Sequence, residues 1–151
     1  MYPYEEYVNP VLGKRLRQLN LDKVFSQGTG CELIDKAGEK YLDFIASYGA
    51  LPFGFNHPEI WAAVNEVQSS QEPNMIQPSF LAAAGELARE LVKVAPEGTK
   101  YVTYANSGAE ANEAAFKIAR IYTNRLGILT TENSFHGKTL GALSATGKDS
   151  Y

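Results

Sequence analysis

Apolar residues recur at helical spacing in three stretches of the chain, and each stretch predicts an amphipathic helix. The first helix follows His57-Pro58, because proline suits the first helical position. The second covers about residues 79–94 and ends before Pro96-Glu97-Gly98. The third covers residues 108–124, and its apolar side chains share one face: Ala111, Ala114, Ala115, Ile118, Ala119 and Tyr122.

Runs rich in β-branched and aromatic residues predict strands. The segment CELIDKAGEKYLDF, residues 31–44, has two such runs around Asp35-Lys36-Ala37-Gly38, which predicts a hairpin. Two further strands are predicted at residues 100–105 and 126–131, on either side of the third helix. Strand, helix and strand form a βαβ unit, which implies a parallel sheet and an α/β fold class. Two strands do not make a stable parallel sheet, so further structure must complete it.

The composition is that of an ordinary soluble protein, with 44% hydrophobic and 21% charged residues among 151. A net charge of −3 provides no basic field, so neither nucleic acid nor a membrane is an expected partner. The N-terminal MYPYEEYVNP lacks the basic start and apolar run of a signal peptide. The one cysteine, Cys31, cannot form an internal disulfide, so a reducing, cytoplasmic setting is expected. Cys31 itself is interpreted as a core or strand residue.

The stretch YVTYANSGAEANEAAFKIAR, residues 101–120, places a tight turn directly before a predicted helix. The first turn of a helix offers free backbone N–H groups and a partial positive charge, and both suit a phosphate dianion. Gly108 lets the backbone approach a ligand, and Ala109 keeps the approach open. The hydroxyl of Ser107 can cap the helix or donate to the phosphate. The alternative is a plain serine N-cap before a closely packed, alanine-rich helix.

A second polar loop, SFHGKT at residues 134–139, follows the second predicted strand. Ligands of a parallel sheet bind beyond the carboxyl ends of its strands, so this loop and the 107–109 turn are predicted to share one edge. One offers a phosphate cradle and the other an aromatic face with an imidazole, which suits a flat, phosphorylated, aromatic cofactor. Glu110 and Glu113 are interpreted as structural, because negative charge is favourable at the start of a helix.

These segments resemble a known family. NSGAEANEAAFKIAR and SFHGKTLGALSATGK are similar to the two signatures of class III pyridoxal-phosphate aminotransferases, the ornithine, acetylornithine and putrescine aminotransferase group. YLDFIASYGALPFGFNHPEI is similar to the family's early segment, in which a Gly-x-x-His-Pro stretch opens a helix. The resemblance covers about residues 28–148. It implies the N-terminal part of a PLP-dependent transferase fold of the aspartate aminotransferase type, a parallel or mixed sheet with flanking helices, incomplete in this chain.

The resemblance also implies roles for particular residues. Backbone groups at Ser107, Gly108 and Ala109 would hold the phosphate of pyridoxal 5'-phosphate (PLP). Phe135 would stack on the pyridine ring, where offset aromatic contact is favourable. His136 would lie beside the ring; the alternative is a loop residue whose imidazole only supports the turn.

Two residues are candidates for contact with the substrate. Tyr48 matches the position where ornithine aminotransferases carry a tyrosine near the substrate, although aromatic residues in a glycine-rich loop often only pack. Lys138 stands where acetylornithine-type members have an arginine that clamps a substrate carboxylate with a two-pronged fork, which lysine lacks. The FHGK form resembles putrescine aminotransferases, so a diamine or other ω-amine donor is expected. The alternative is that Lys138 faces solvent.

No lysine in this chain matches the family's Schiff-base lysine, and no carboxylate matches the one that faces the pyridine nitrogen. The chain is therefore expected to be the N-terminal part of a longer protein, with no catalytic residue of its own, no metal site and no turnover alone. Residues 1–56 are predicted to be an N-terminal arm and β-hairpin segment of the small domain. Residues 57–151 are predicted to begin the PLP-binding large domain.

The intact protein is expected to be a homodimer that moves an amino group from a primary amine to a 2-oxo acid. A first alternative keeps the cofactor and changes the reaction, to a class III decarboxylase, racemase or aminomutase. A second alternative is a non-catalytic fragment that binds a phosphorylated ligand or a partner chain. Dependence of any activity on a 2-oxo acid separates transamination from the first alternative.

Overall fold

The computed structural model describes residues 3–73 and 76–148. The chain divides into two compact units, Met1–Met75 and Ile76–Tyr151. The predicted domain division at residues 56 and 57 concerns the longer protein and stays a prediction.

The first unit begins with two short helices, α1 (Pro3–Tyr7) and α2 (Pro10–Gln18), which pack against each other. The side chain of Asn9 caps α2 by accepting a hydrogen bond of 2.9 Å from the N–H of Leu12. Gly13 is buried at the contact, and a Cβ there would lie 3.0 Å from the Cβ of Glu5.

A three-stranded antiparallel sheet follows, with strands β1 (Phe25–Thr29), β2 (Glu32–Asp35) and β3 (Lys40–Leu42) in that order. The predicted hairpin is confirmed as β2 and β3. Its turn is held by the buried carboxylate of Asp35, which accepts hydrogen bonds from the N–H groups of Ala37 (2.8 Å) and Glu39 (3.0 Å) and from the hydroxyl of Tyr41 (3.1 Å).

The prediction for Cys31 was wrong, and strand β1 was not predicted. Cys31 is exposed and lies in the tight turn between β1 and β2, not in a strand or core. Gly30 in this turn has a φ of +57° and pairs with Phe55, so the turn is stabilised by chain that follows 25 residues later. Long-range pairing of this kind has no signal in a local run of residues.

The rest of the first unit is an irregular segment followed by helix α3 (Pro58–Ser70). Proline occupies the first turn of α3, as predicted. The indole of Trp61 donates a hydrogen bond of 3.1 Å to the side chain of Asn56, which in turn donates one of 2.7 Å to the carbonyl of Gly28. These bonds tie the start of α3 to the sheet.

The second unit contains α4 (Ala82–Val94), α5 (Gly108–Thr123) and α6 (Leu140–Ser144). Helices α4 and α5 were predicted, with α4 starting three residues later than expected. Helices α5 and α6 pack against each other, and Ala142 and Ala145 are the buried hydrophobic residues among those described. The alanine-rich face predicted for α5 is largely exposed in this unit, with Ile118 at 57% and Tyr122 at 89% exposure. The opposite face makes the contacts.

The prediction of strands at residues 100–105 and 126–131 was wrong. Neither segment is assigned as a strand in the described part of the chain, so the βαβ unit is not observed there. A strand requires a neighbour that supplies a ladder of backbone hydrogen bonds. In the second segment a side chain bonds to the backbone instead: the guanidinium of Arg120 donates a hydrogen bond of 2.9 Å to the carbonyl of Leu126. The apolar side chain of Leu129 is fully exposed.

No helix among residues 3–73 and 76–148 is long and apolar enough to cross a membrane. Within the same residues, no cluster of three or more His, Cys, Asp and Glu side chains is arranged to hold a metal ion.

Candidate functional site

Two side-chain hydrogen bonds cap the start of α5. Ser107 stands in extended conformation at the N-cap, and its hydroxyl oxygen accepts a hydrogen bond of 3.2 Å from the N–H of Glu110. The carboxylate of Glu110 reaches back and accepts one of 2.7 Å from the N–H of Asn106. The structural interpretation of Glu110 agrees with this contact. Together the two caps fix the direction in which the turn enters the helix.

The first two residues of α5 present backbone donors toward open space. Gly108 and Ala109 occupy the helical positions whose N–H groups have no acceptor within the helix. Gly108 is exposed, and a Cβ built on it would meet no atom within 4 Å. The space above the turn is therefore open, and the positive end of the helix dipole points into it. This arrangement suits a phosphate, and binding of the cofactor phosphate here stays a prediction.

Gly137 brings the SFHGKT loop directly against this turn. It is buried, its φ is +128°, and a Cβ on it would lie 2.8 Å from the Cα of Ala109 and 3.2 Å from the Cβ of Ala142. Contacts below 3.0 Å are not tolerated, so only glycine permits this approach. The two sequence motifs therefore meet at the N-terminus of α5, through a close backbone contact.

The backbone of His136 is held on both sides. Its N–H donates to the hydroxyl of Thr146 (3.1 Å), and its carbonyl accepts from the side-chain amide of Asn112 (2.7 Å). The half-buried imidazole places Nε2 3.3 Å from the hydroxyl oxygen of Thr130. These contacts support the alternative in which the imidazole stabilises the turn, while its place beside a cofactor ring stays a prediction.

The other predicted site residues fall into two groups. Phe135 and Lys138 are exposed on the same loop as Gly137, Phe135 at 59%. Tyr48 belongs to the first unit, where it is 98% exposed with a φ of +57°. The structure thus brings the phosphate turn and the aromatic loop together within one unit. The roles of Phe135, Lys138 and Tyr48 stay predictions.

Glu113 contacts the start of α6. Its Oε1 accepts hydrogen bonds from the hydroxyl of Thr139 (2.8 Å) and from the N–H groups of Gly141 (2.8 Å) and Ala142 (3.2 Å). The Thr139 hydroxyl bond lowers the pKa of the Glu113 carboxyl, and the two N–H bonds and Lys117 add to this against the opposing effect of burial. Glu113 therefore remains ionised at neutral pH and is structural, as interpreted from the sequence.

Sequence reasoning missed the contacts made by Asn112, Thr130 and Thr146. Asn112 and Glu113 lie on the same face of α5 as Ala109, one turn further along, and this face contacts the loop. Polar residues three and four positions after Ala109 could have predicted that this face of the helix contacts another segment. The two threonines gave no such signal, because their roles depend on contacts made across 10 to 15 residues of chain.

Comparisons with known proteins identify the family of the chain. The family model for aminotransferase class-III matches residues 16–151. The chain is 40% identical over 149 residues to the aminotransferase PigE of Serratia sp., covering 98% of this chain and 18% of that protein. It is 42% identical over 123 residues to the acetylornithine aminotransferase of Lactiplantibacillus plantarum, covering 81% of this chain and 30% of that protein.

A solved structure extends the agreement to the fold. The chain is similar to the taurine:2-oxoglutarate aminotransferase of Bifidobacterium kashiwanohense, solved in complex with PLP and glutamate, with a TM-score of 0.78 and 32% identity. The match covers 84% of this chain and 28% of that one, so the chain spans less than a third of these relatives. The predicted fold class, part of a PLP-dependent transferase fold, is confirmed. The chain belongs to the class-III aminotransferase family.

Proposed function

We propose that residues 1–151 are part of a longer PLP-dependent transaminase and carry its phosphate cradle and ring-stacking loop. The observation that supports this most is the contact of Gly137 with Ala109, which joins the two motifs at one helix N-terminus. The cofactor-linking lysine is expected outside these residues, so the 151-residue chain is proposed to be inactive alone.

The residues at the α5 N-terminus fit the phosphate of the cofactor. The N–H groups of Gly108 and Ala109 and the hydroxyl of Ser107 would bind it, and the open space at Gly108 leaves room for it. The exposed ring of Phe135 would cover one face of the pyridine. When bound, PLP supplies an electron sink that lets a C–H bond beside the substrate nitrogen lose its proton. The residues of this chain bind and orient the cofactor.

We propose an ω-amine, such as a diamine, as the amino donor. Lys138 offers a point charge where a bidentate arginine would clamp a substrate carboxylate, so a donor without a carboxylate near the amine is favoured. The similar taurine:2-oxoglutarate aminotransferase is named for a donor that also has no carboxylate. The acetylornithine aminotransferases among the relatives are named for a donor that has one, which makes the donor a point to test.

The proposed reaction converts a primary amine and a 2-oxo acid into an aldehyde and a 2-amino acid. The amine carbon is oxidised and the oxo carbon is reduced, so no external oxidant is needed. We propose Tyr48 as a contact of the donor, in line with its sequence position. A cytoplasmic location and a homodimer are also proposed, from the single cysteine and from the family resemblance respectively.

The test uses the full-length protein with PLP and measures both conversion of the donor (putrescine, N-acetylornithine or alanine) and glutamate formed from 2-oxoglutarate. The proposal expects turnover with putrescine that stops when the 2-oxo acid is omitted. Turnover without any 2-oxo acid would assign the protein to a decarboxylase, racemase or aminomutase instead. A preference for N-acetylornithine over putrescine would overturn the ω-amine proposal and leave transamination standing.

A further inference from the structure

We propose that Glu113 is a positioning residue that holds the Phe135–Lys138 loop against the phosphate turn of α5. This inference rests on the proposed function, since the loop matters only if it covers a cofactor. It assigns Glu113 a role beyond the favourable placement of a negative charge near a helix start.

Three successive contacts join one face of α5 to the loop and to α6. Ala109 touches Gly137, Asn112 holds the carbonyl of His136, and Glu113 holds the start of α6. Residues 109 and 113 are one helical turn apart and therefore lie above each other on the same face. The loop is thus fixed at its centre by two contacts and at its far end by the third.

The Glu113 carboxylate replaces the cap that α6 lacks. Thr139 is the N-cap residue of α6, but its side chain accepts no hydrogen bond from the helix, and its hydroxyl donates to Glu113. The N–H groups of Gly141 and Ala142, which are orphan donors of the first turn, also point to Glu113. A single carboxylate oxygen thus accepts from all three groups, and hydrogen bonds to a charged acceptor are the stronger kind.

Gly141 shows that this contact requires close approach. A Cβ on Gly141 would lie 2.8 Å from Oε1 of Glu113, which is a steric clash. A side chain at this position would push the carboxylate away from the helix. The sequence therefore carries glycine at residue 137, where the loop meets the phosphate turn, and at residue 141, where α6 meets Glu113.

The loop between these points carries the groups that would cover the cofactor. Phe135 precedes Gly137 by two residues, and Thr139 follows it by two. Loss of the Glu113 contact would free the Thr139 end of the loop while leaving the backbone donors at Ser107, Gly108 and Ala109 in place. The expected effect is therefore weaker binding of the whole cofactor and little change in the binding of phosphate alone.

The experiment compares Glu113→Gln with the wild type in the full-length apoprotein. Glutamine keeps the shape of the side chain and replaces the carboxylate by a neutral carbonyl and an NH₂ donor. Binding of PLP is measured by calorimetric titration, and inorganic phosphate is measured as a competitor. Circular dichroism in the cofactor absorption band reports how firmly the ring is held. Glu90→Gln is the matched control, because Glu90 contacts only Arg89 and Lys93 of its own helix in the contacts described.

We expect Glu113→Gln to raise the PLP dissociation constant about tenfold, to reduce the circular dichroism signal and to leave phosphate competition nearly unchanged. Thr139→Val, which removes one of the three donors and keeps the charge, should give a smaller loss of the same kind. Glu90→Gln should match the wild type.

Equal PLP binding by wild type, Glu113→Gln and Thr139→Val would overturn the inference. Equal loss of PLP and phosphate binding would also overturn it, since that pattern indicates general damage to the unit. Should Glu113→Gln give no soluble protein, Thr139→Val decides by the same two readouts. Failure of the wild type itself to bind PLP would instead contradict the proposed function.

Discussion

Replacement of Gly137 by alanine is the sharpest test of how the two motifs meet. Gly137 has a φ of +128°, a conformation that L side chains rarely adopt, and holding alanine there costs about 1–3 kcal/mol. The new Cβ would also lie 2.8 Å from the Cα of Ala109 and 3.2 Å from the Cβ of Ala142. Overpacking of this kind costs a further ~1–3 kcal/mol. The two costs together amount to about 2–6 kcal/mol, a large share of the ~5–15 kcal/mol that holds a typical domain folded.

Two other glycines separate these costs. Gly98 has a φ of +89°, and a Cβ on it would meet no atom within 4 Å, so Gly98→Ala carries the backbone cost alone. Gly127 also has open space around it and is not among the glycines with positive φ in the described chain, so Gly127→Ala should be nearly neutral. The difference between Gly137→Ala and Gly98→Ala therefore measures the contact with α5.

The assay is urea unfolding of the full-length protein, with PLP affinity measured on the folded variants. If the loop stays in place, Gly137→Ala lowers the free energy of unfolding by more than Gly98→Ala does. If the loop moves away from α5 instead, part of that loss appears as weaker PLP binding, because the loop no longer lies against the phosphate turn. A Gly137→Ala variant that unfolds like Gly98→Ala and binds PLP like the wild type would refute the reasoning.

Three further outcomes are expected. Gly108→Ala should leave the midpoint of thermal unfolding unchanged or raise it slightly, because its Cβ meets no atom, yet raise the PLP dissociation constant at least about tenfold by occupying the phosphate space. Lys138→Arg should raise kcat/KM for N-acetylornithine relative to putrescine by about tenfold, because arginine binds a carboxylate with two parallel bonds. Asp35→Asn should lower stability at neutral pH and flatten its loss in acid, measured by urea unfolding from pH 7 to pH 2. Burial raises the pKa of Asp35, but hydrogen bonds from Glu39, Tyr41 and Ala37 outweigh this effect and lower that pKa below 3.8. The ionised Asp35 therefore stabilises the fold above pH 3.8, and this stabilisation is lost as the pH falls through the pKa of the folded state.

Each of these outcomes has a control and a contradicting result. For Gly108→Ala the control is Gly127→Ala, and unchanged PLP affinity would show that the phosphate does not bind at this turn. For Lys138→Arg the control is Lys93→Arg on the surface of α4, and an unchanged donor ratio would remove Lys138 from donor selection. For Asp35→Asn the control is Asp22→Asn, and an acid profile identical to that of the wild type would mean that Asp35 contributes nothing to the pH dependence.

Local chemistry explains which elements were predictable. The hairpin turn depends on Asp35 and on residues no more than six positions away, so it is encoded in one short window. Helix α3 begins at a proline, and α5 begins after a serine that accepts a hydrogen bond within its own first turn. These signals act within a few residues and do not need the rest of the protein.

The predicted strands at 100–105 and 126–131 show the opposite case. Their β-branched and aromatic residues favour extended backbone, but a strand also needs a neighbour that pairs with it, and none does so among the described residues. The same limit applies to α5. Periodicity identified its alanine-rich face, yet the face that packs within this unit is the other one, through Ala109, Asn112 and Glu113.

The sequence by itself determined helices α3, α4 and α5, the β2–β3 hairpin and, through its motifs, the family, while phosphate binding at the 107–109 turn stays a prediction. Only the tertiary structure decided that Gly137 packs on Ala109 and that Glu113 caps α6, because both contacts join residues 26 to 29 positions apart in the chain. Helix periodicity records which residues share a face but not what that face meets. Close approach and hydrogen bonding between segments are properties of two segments together, and they arise only once the chain has folded.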